Sequence, residues 1–498
     1  MYDVIIIGAG VNGAFIARDL AKYQLKILVI EKENDVGDVT SCANSAIIHS
    51  GYDPHPNTLK AKLNVLGNAM YDEICRDLDV EFSRLGSLTL AFSDEEAEQI
   101  PFLMERAQKN GVPVQLLNHD EILSMEPKIN KQVKSALFAP STGIINPFEL
   151  VVALMENAME NGVELHLNEE VMKIIKEDNC YKIFSQCGEY STKVVVNAAG
   201  LFADQINNMI MDSKETIIPR KGEYFVLDHF SEPFVSHVLF SIPTDQGKGV
   251  LVAPTTSQNY LIGPSSHFIN EKDDFSTNQD ILSQVLVSAQ RMVNKIPMGK
   301  LIREFAGLRA FHVSNDFVIN HQDGFINVLG MQSPGLASAP ATSKMVMGFI
   351  KTYLPFVEKQ NYKSKRRPLY RLNRLESEER NRLIKEHPSL GNIVCRCEQV
   401  SEGEVVDAIH RLCGATSIKG VKKRVRPGAG KCQGGFCEPL IMRILARELK
   451  QPLNKINYDN QKSYILLEKT KGGGQHDELL FGGHRWWKCR FGQCYFRF

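Results

Sequence analysis

The stretch YDVIIIGAGVNGAFIARDLAKYQLKILVIE, residues 2–31, decides the fold. A short apolar run ends in Gly8-x-Gly10-x-x-Gly13, a helical pattern follows, and a second apolar run ends at Glu31. In such a unit, glycines permit the tight turn, let the backbone approach a pyrophosphate and allow the helix to pack closely on the strand. The stretch therefore predicts a Rossmann-type dinucleotide site with Gly8, Gly10, Gly13 and Glu31 as cofactor contacts. The alternative is a glycine-rich turn in an unrelated α/β fold.

Later segments favour FAD over NAD as the dinucleotide. After the second strand the chain enters a loop of small residues, 39–45, which suits the wrapping of a long cofactor. It returns to the cofactor only after a large insertion, at 194–200. The segment 330–337 places a helix N-terminus where reduced flavin accumulates negative charge. The cofactor contacts that we predict in these segments are Ser41, Cys42, Ser45, Ala199, Gly200, Gly330, Gln332, Gly335 and Leu336.

Length and composition indicate a globular protein of several domains. A chain of 498 residues is too long for one ordinary core. The 58 basic and 58 acidic side chains balance, so the basic excess of a nucleic-acid-binding protein is missing. We find no apolar run of the roughly 18 residues that span a membrane, and no signal peptide before the first strand. We expect a cytoplasmic protein, with peripheral attachment to the inner face of the cell membrane through a partner left open.

Four of the eleven cysteines form two groups. Cys395 and Cys397 make a CxC pair, and Cys432 and Cys437 make a CxxxxC pair in a glycine-rich stretch. Four thiolates are the ligand set of an iron–sulfur cluster. Tetrahedral zinc also accepts four thiolates, but its usual spacing is CxxC in both halves. We predict a cluster, with zinc and unligated structural thiols as alternatives; Cys413, between the pairs, is expected to be a core residue.

Five segments resemble the glycerol-3-phosphate dehydrogenase-like branch of the D-amino-acid-oxidase superfamily of FAD enzymes: 8–13, 44–51, 197–200, 307–309 and 330–336. The resemblance covers about residues 1–355. Several segments look equally like the L-2-hydroxyglutarate dehydrogenases of the same superfamily. By family position, Arg309 would grip the anionic end of the substrate, and Val171 would pack near the adenine.

The cysteine module resembles the bacterioferritin-associated-ferredoxin-like domain that binds a [2Fe-2S] cluster. A domain of this kind ends the large subunit of the anaerobic glycerol-3-phosphate dehydrogenase. The resemblance implies that Cys395, Cys397, Cys432 and Cys437 ligate the cluster. A cluster passes one electron at a time, so we expect electron-accepting protein subunits as partners.

Oxidation of a secondary alcohol by flavin needs a base for the hydroxyl proton and cationic groups for the anionic end of the substrate. His49 is our candidate base, because it follows an apolar strand and precedes Ser50-Gly51, where the backbone can lie close to the flavin. A structural histidine is the alternative. The other residues predicted at the substrate are Tyr52, Arg220, Lys221, Tyr224 and Lys248.

These observations predict an α/β fold with a Rossmann-type FAD-binding domain, an inserted antiparallel-sheet substrate domain and a small α-rich iron–sulfur domain. The cofactor domain would comprise about 1–80, 145–210 and 300–358, and the substrate domain about 81–144 and 211–299. A charged linker (359–391), the cluster domain (392–457) and a tail (458–498), expected to be disordered, would follow.

The expected function is oxidation of glycerol 3-phosphate to dihydroxyacetone phosphate, with electrons passing through the cluster to a partner. The alternatives are an L-2-hydroxyglutarate or other 2-hydroxy acid dehydrogenase, an amino-acid oxidase-type enzyme, and a non-catalytic electron-transfer subunit.

Overall fold

The computed structural model describes residues 1–243 and 249–467. The chain divides into two compact units. The larger comprises residues 1–32 and 36–366, and the smaller comprises 33–35 together with the chain from 367 onward. No helix in the described ranges combines the length and apolar character needed to cross a lipid bilayer.

The strands, in chain order, are β1 (Tyr2–Ile7), β2 (Ile27–Ile30), β3 (Ile47–Ile48), β4 (Phe82–Arg84), β5 (Ser87–Ala91), β6 (Gln115–Asn118), β7 (Ser135–Ala139), β8 (Gly143–Ile145), β9 (Glu164–His166), β10 (Val171–Lys176), β11 (Tyr181–Ser185), β12 (Glu189–Asn197), β13 (Ile217–Leu227), β14 (Val238–Ser241), β15 (Leu251–Pro254), β16 (Tyr260–Gly263), β17 (His267–Phe268), β18 (Leu301–His312), β19 (Val318–Gln322), β20 (Phe325–Leu329), β21 (Ile393–Cys395) and β22 (Val400–Ser401).

The α-helices are α1 (Val11–Leu20), α2 (Leu59–Asn68), α3 (Tyr71–Leu78), α4 (Asp94–Ala97), α5 (Gln99–Asn110), α6 (His119–Met125), α7 (Pro147–Glu160), α8 (Ala203–Ile210), α9 (Gln279–Met292), α10 (Gly335–Ile350), α11 (Ser377–Glu386), α12 (Glu402–His410), α13 (Ile418–Val425) and α14 (Glu438–Glu448). Short 3-10 turns cover Gly200–Phe202, Met298–Lys300, Leu372–Arg374, Pro388–Gly391 and Leu453–Lys455.

The cofactor part of the larger unit is an eight-stranded sheet with a parallel centre. β1 pairs in parallel with β12 on one side and β2 on the other, and β20 and β9 extend the parallel order. The side chains of Val4, Ile5 and Ile6 are fully buried, as expected of a strand covered on both faces. The predicted Rossmann-type α/β fold is confirmed.

A nine-stranded sheet forms the substrate part of the larger unit. Eight strands run in the order β17-β13-β16-β15-β14-β5-β7-β6, and β18 pairs with β13. All of the pairs are antiparallel except β14 with β5. The longest pairing joins β13 to β18 and runs from Ile217–His312 to Leu227–Leu301. This long, rigid pair of strands carries the charged side chains of the site described below.

The smaller unit is mainly helical, as predicted. α12, α13 and α14 surround a core that includes Val405, Val421 and Leu445. A capping box fixes the start of α12: the Ser401 hydroxyl accepts a hydrogen bond from the Glu404 N–H, and the Glu404 carboxylate accepts one from the Ser401 N–H. The hairpin of β21 and β22 brings Cys395 beside this core.

Two boundaries differ from the sequence prediction. β18 pairs with β13 in the nine-stranded sheet, whereas the sequence prediction assigns residues 300–358 to the cofactor domain. An apolar alternation predicts a strand but does not say which distant strand it pairs with. Leu466 lies in the core of the smaller unit with 2% of its surface exposed, so residues 458–467 are not all part of a tail. The remaining predicted tail, 468–498, lies outside the described residues.

Candidate active site and cysteine site

The glycine turn between β1 and α1 is held by the acidic residue that ends the second strand. The backbone N–H of Ala9 donates a hydrogen bond to Oε2 of Glu31 at 2.7 Å. The backbone N–H of Val11, at the start of α1, donates to Oγ of Ser41 at 2.9 Å. Oδ1 of Asn12 is buried without a hydrogen-bond partner among the described residues. Such an orphaned polar atom beside the turn fits a site built for a polar cofactor.

Gly13 is the residue that lets α1 pack against the turn. A Cβ at this position would lie 2.0 Å from the backbone oxygen of Gly8, far inside van der Waals contact. We therefore expect Gly13→Ala to destabilise the fold by about 1–3 kcal/mol or more and to lower the FAD content of the purified protein at least tenfold. Thermal unfolding and flavin absorbance per chain measure both effects.

Gly348→Ala is the matched control. Gly348 is exposed on α10, and no atom lies within 4 Å of a Cβ added there. An alanine in a helix interior is more stable than glycine by about 0.5–1 kcal/mol, so this variant is expected to keep its flavin and unfold at a slightly higher temperature. Full flavin content in Gly13→Ala would contradict the packing argument.

A cavity of about 1230 Å³ lies beside this turn. It exceeds the roughly 300–1,000 Å³ of ordinary small-molecule sites, as a site for a dinucleotide plus a substrate must. Its lining contains the predicted residues Gly10, Ser41, Ser45, His49, Gly200, Arg220, Tyr224, Arg309, Gln332, Gly335 and Leu336. The structure thus brings together residues from the glycine turn, the 39–45 loop, the nine-stranded sheet and the start of α10.

Other predicted cofactor residues do not line the cavity. They are Gly8, Gly13, Glu31, Cys42, Val171, Ala199 and Gly330. Cys42 donates its thiol hydrogen to backbone oxygens of its own loop, at Asp38 and Val39. Val171 is buried at the start of β10.

Two predicted substrate residues lie outside the cavity, which corrects the prediction that placed them there. Lys221 follows Arg220 on β13, so its side chain points to the opposite face and its Nζ bonds Asp274 at 2.9 Å. Tyr52 is buried and its hydroxyl bonds Thr89 at 2.7 Å. Lys248 lies outside the described residues.

His49 follows β3 and faces the cavity. Its backbone oxygen accepts hydrogen bonds from the side-chain amides of Asn64 at 2.6 Å and Asn68 at 2.9 Å, both on α2. Thr58 caps the start of α2, because its hydroxyl accepts from the Ala61 N–H. The ring Nε2 lies 3.5 Å from Oγ of Ser333. This arrangement fixes the backbone of His49, whose side chain lines the cavity.

Two arginines occupy facing positions on neighbouring strands of the cavity wall. Arg220 on β13 and Arg309 on β18 are directly opposite each other in the strand register. Burial lowers the pKa of both groups, and the neighbouring Arg220 lowers that of Arg309 further. Arg309 donates hydrogen bonds to the carbonyl oxygens of Ser265 and Lys221, and it makes no ion pair with a described residue. Two positive side chains at facing positions of the cavity wall favour the binding of an anion.

The wall between the two strands is kept free of side chains by a glycine pair. Gly222 and Gly307 lie opposite each other in the register of β13 and β18. A Cβ on Gly222 would lie 2.8 Å from Nη2 of Arg309, and one on Gly307 would lie 1.9 Å from the backbone oxygen of Ala43. Both glycines therefore make room, one for the guanidinium and the other for the cofactor loop.

Tyr224 closes one side of the cavity. Its ring stacks on Phe305 with centroids 4.7 Å apart, and its hydroxyl lies 3.0 Å from Oγ of Ser45. Burial raises the pKa of Tyr224, so the phenol is neutral at physiological pH. The hydroxyl can therefore donate a hydrogen bond to an anionic ligand or to the cofactor.

The sequence reasoning missed His267, which also lines the cavity. Its Nε2 lies 3.8 Å from Oε1 of Glu223. Burial, together with Lys221 and Arg309, lowers the pKa of His267. Burial raises the pKa of Glu223. Ser333, Asn64 and Asn68 were missed as well; of these, only Ser333 carried a signal, because it lies in the recognised segment 330–336.

In the smaller unit, the four predicted ligand cysteines form two sulfur pairs. Sγ of Cys397 lies 3.6 Å from Sγ of Cys432. Cys395 and Cys437 share a hydrogen bond, and this bond together with the backbone N–H groups of Glu398 and Gly428 lowers the pKa of Cys395 to about 6. In residues 1–243 and 249–467, no three His, Cys, Asp or Glu side chains are gathered closely enough to hold a single ion. Two pairs of thiolates fit a cluster of two irons, with one pair on each iron.

Alanine at any of the four cysteines is expected to abolish the iron–sulfur absorbance and the electron paramagnetic resonance signal of the reduced protein. The FAD content should stay unchanged, because the glycine turn lies in the other unit. Iron analysis and visible spectra of the variants measure this. Cys413→Ala is the control, since Cys413 is buried outside both pairs. Zinc in place of iron in the wild-type protein would support the alternative metal.

Comparison with known proteins gives two family matches. A family model described as FAD dependent oxidoreductase matches residues 3–347, and one described as a BFD-like [2Fe-2S] binding domain matches residues 393–447. FAD and a [2Fe-2S] cluster are therefore the cofactors of this chain.

Individual relatives carry related names. The chain is 48% identical over 476 residues to a glycerol 3-phosphate dehydrogenase of Caloramator mitchellensis, covering 95% of this chain and 99% of the relative. It is 35% identical to a glycerol 3-phosphate oxidase of Mycoplasma genitalium, covering 69% of this chain and 92% of the relative. A solved structure of L-alpha-glycerophosphate oxidase from Mycoplasma pneumoniae with FAD bound superimposes with a TM-score of 0.71 at 30% identity, covering 74% of this chain and 99% of that one.

Proposed function

This chain belongs to the FAD dependent oxidoreductase family, and on that premise we propose that it oxidises sn-glycerol 3-phosphate to dihydroxyacetone phosphate and passes the electrons through its iron–sulfur cluster to a partner protein. The observation that carries the proposal is the pair Arg220 and Arg309 in one cavity with His49. A substrate with an anionic end and a secondary alcohol matches cations on one side of the cavity and a base on the other.

The side chains divide the work of the reaction. Arg309 and Arg220 bind the phosphate, and the Tyr224 hydroxyl donates to it or to the cofactor. His49 accepts the proton of the substrate hydroxyl at Nε2, with Ser333 beside it. Loss of this proton and of a hydride from the carbon gives the ketone product. FAD, when bound, supplies the two-electron acceptor at the carbon, and Gly10, Ser41 and the other lining residues would hold it.

Coverage of the relatives supports a dehydrogenase over an oxidase. The named dehydrogenase aligns over 95% of this chain, whereas the named oxidase aligns over 69%. The cysteine domain, matched at residues 393–447, lies near the C-terminal end of the sequence. A cluster would have no role in direct reduction of oxygen by the flavin. Its presence favours export of single electrons.

Anaerobic titration of the purified holoenzyme with candidate substrates tests the proposal. Glycerol 3-phosphate should bleach the flavin absorbance and then produce the paramagnetic signal of the reduced cluster. Bleaching with L-2-hydroxyglutarate alone would move the assignment to a 2-hydroxy acid dehydrogenase. Bleaching with amino acids alone would assign the chain to the amino-acid oxidase type of enzyme. A flavin that dithionite reduces but no substrate bleaches would leave an electron-transfer subunit.

A further inference from the structure

The two sulfur pairs of the smaller unit differ in exposure. Cys395 and Cys437 are each 1% exposed, whereas Cys397 is exposed and Cys432 is half-buried. Two thiolates on one tetrahedral metal ion, each about 2.3 Å from it, lie about 3.8 Å apart, which is close to the 3.6 Å between Cys397 and Cys432. Cys397 and Cys432 would therefore hold one iron of the cluster, the iron nearer to the protein surface.

Four exposed side chains flank these ligands, and we call them the cluster-side surface: Arg396, Lys431, Phe436 and Leu440. Arg396 lies between two ligand cysteines, and Lys431 and Phe436 each precede one. Leu440 is in the first turn of α14. Phe436 is 80% exposed and Leu440 is 40% exposed. The two side chains supply exposed apolar surface next to the ligand cysteines.

The charge of the cluster-side surface is positive. The carboxylates of the same loops, Glu398 and Glu438, are 9% and 6% exposed. Glu398 is neutralised by Arg426, whose Nε lies 2.9 Å from its Oε2. Arg396 and Lys431 are exposed and form no hydrogen bond or ion pair with a described residue. A complementary partner presents carboxylates around a small apolar centre.

Building on the proposed function, in which electrons leave through the cysteine-bound cluster, we propose that the cluster-side surface docks an acidic one-electron carrier protein against the Cys397–Cys432 side. Each encounter reduces one oxidised carrier by one electron, so two encounters remove the pair of electrons taken from one substrate molecule. No covalent bond forms, and the two protons of the alcohol oxidation pass to solvent. Docking at this side places the carrier next to the outer iron.

Binding to defined carriers tests this proposal with the full-length holoenzyme. The probes are a purified acidic plant-type ferredoxin and an acidic flavodoxin, titrated at low and at physiological ionic strength. Reversal of two charges in R396E/K431E should raise the dissociation constant of either probe tenfold or more at low salt, because a repulsive pair replaces an attractive one. Phe436→Ser should raise it about tenfold at both salt concentrations, because an apolar contact is lost.

The matched control is K450E/K455E. It makes the same change of charge at two exposed lysines beyond the C-terminal end of α14, a helix of 11 residues that begins at the cluster. An 11-residue helix is about 16 Å long, so this variant should bind both probes within twofold of the wild type. Iron content and visible circular dichroism should show an intact cluster in every variant.

Three outcomes would overturn the proposal. One is unchanged affinity in R396E/K431E with the cluster intact, and another is no binding of either probe by the wild type. The third is that the wild type binds vesicles containing anionic lipid but neither carrier, and that R396E/K431E no longer binds the vesicles. That result would make the surface a membrane contact. Substrate bleaching of the flavin is independent of all three. A failure of docking is therefore distinguishable from a failure of the proposed function.

Discussion

Replacement of Arg309 by leucine is expected to lower kcat/KM for glycerol 3-phosphate by about a thousandfold, because loss of one partner of a buried charge pair costs about 2–5 kcal/mol or more. Arg309 lies opposite Arg220 on the cavity wall, and burial already disfavours its charge. Without it, a bound phosphate loses one of the two facing arginines and keeps Arg220. Arg309→Lys should recover only part of the lost kcat/KM. The lysine restores the positive charge, but its ammonium cannot form the bidentate contact of a guanidinium.

Arg303→Leu provides the control on the same strand. Arg303 lies on β18 and is exposed, outside the cavity. Arg303→Leu makes the same change of net charge and of residue type on the same strand as Arg309→Leu. It should nevertheless leave kcat/KM within about twofold of the wild-type value. Steady-state kinetics with an artificial one-electron acceptor measure all three variants. A loss below tenfold in Arg309→Leu would assign the phosphate to other residues.

His49→Gln is expected to lower kcat by about 10²–10⁴-fold, the usual contribution of a positioned general base. Glutamine keeps much of the size of the ring but cannot accept the proton. The two amides that hold the His49 backbone remain in place, so flavin binding and substrate affinity should change little. Stopped-flow reduction of the flavin under anaerobic conditions isolates this step from later electron transfer.

His55→Gln is the control for a histidine at the same cavity. His55 lines the cavity but is exposed at its surface. Its substitution should leave the rate of flavin reduction nearly unchanged. If His49→Gln retained more than a tenth of the wild-type rate, the base would have to be sought elsewhere, with His267 as the next histidine of the lining.

The parts of this protein that depend on local chemistry could be predicted from its sequence. The glycine turn and Glu31 belong to one short βαβ unit, so their spacing in the sequence is enough to predict the site. The four cysteines were predicted for the same reason. Parallel pairing of β1 followed from an apolar run without alternation.

The parts that depend on long-range strand register could not be predicted. Arg220 and Lys221 are adjacent in the chain, and only the pairing of β13 decides that the first faces the cavity and the second faces Asp274. Residues 301–312 form a strand whose partner, β13, lies in a distant segment of the chain. Asn64 and Asn68 gave no signal, because nothing local connects α2 to the backbone of His49.

The opposed glycines of β13 and β18 have a consequence for the evolution and redesign of this enzyme. Positions 222 and 307 form a bare floor that accommodates the guanidinium and the cofactor loop, so they tolerate no enlargement. Positions 220, 224 and 309 on the same two strands carry side chains that line the cavity. A library of variants restricted to these three positions would change which anionic substrate the enzyme accepts. The FAD site and the iron–sulfur cluster would stay intact. Substrate preference and electron transfer can therefore change independently of each other by mutation within one chain.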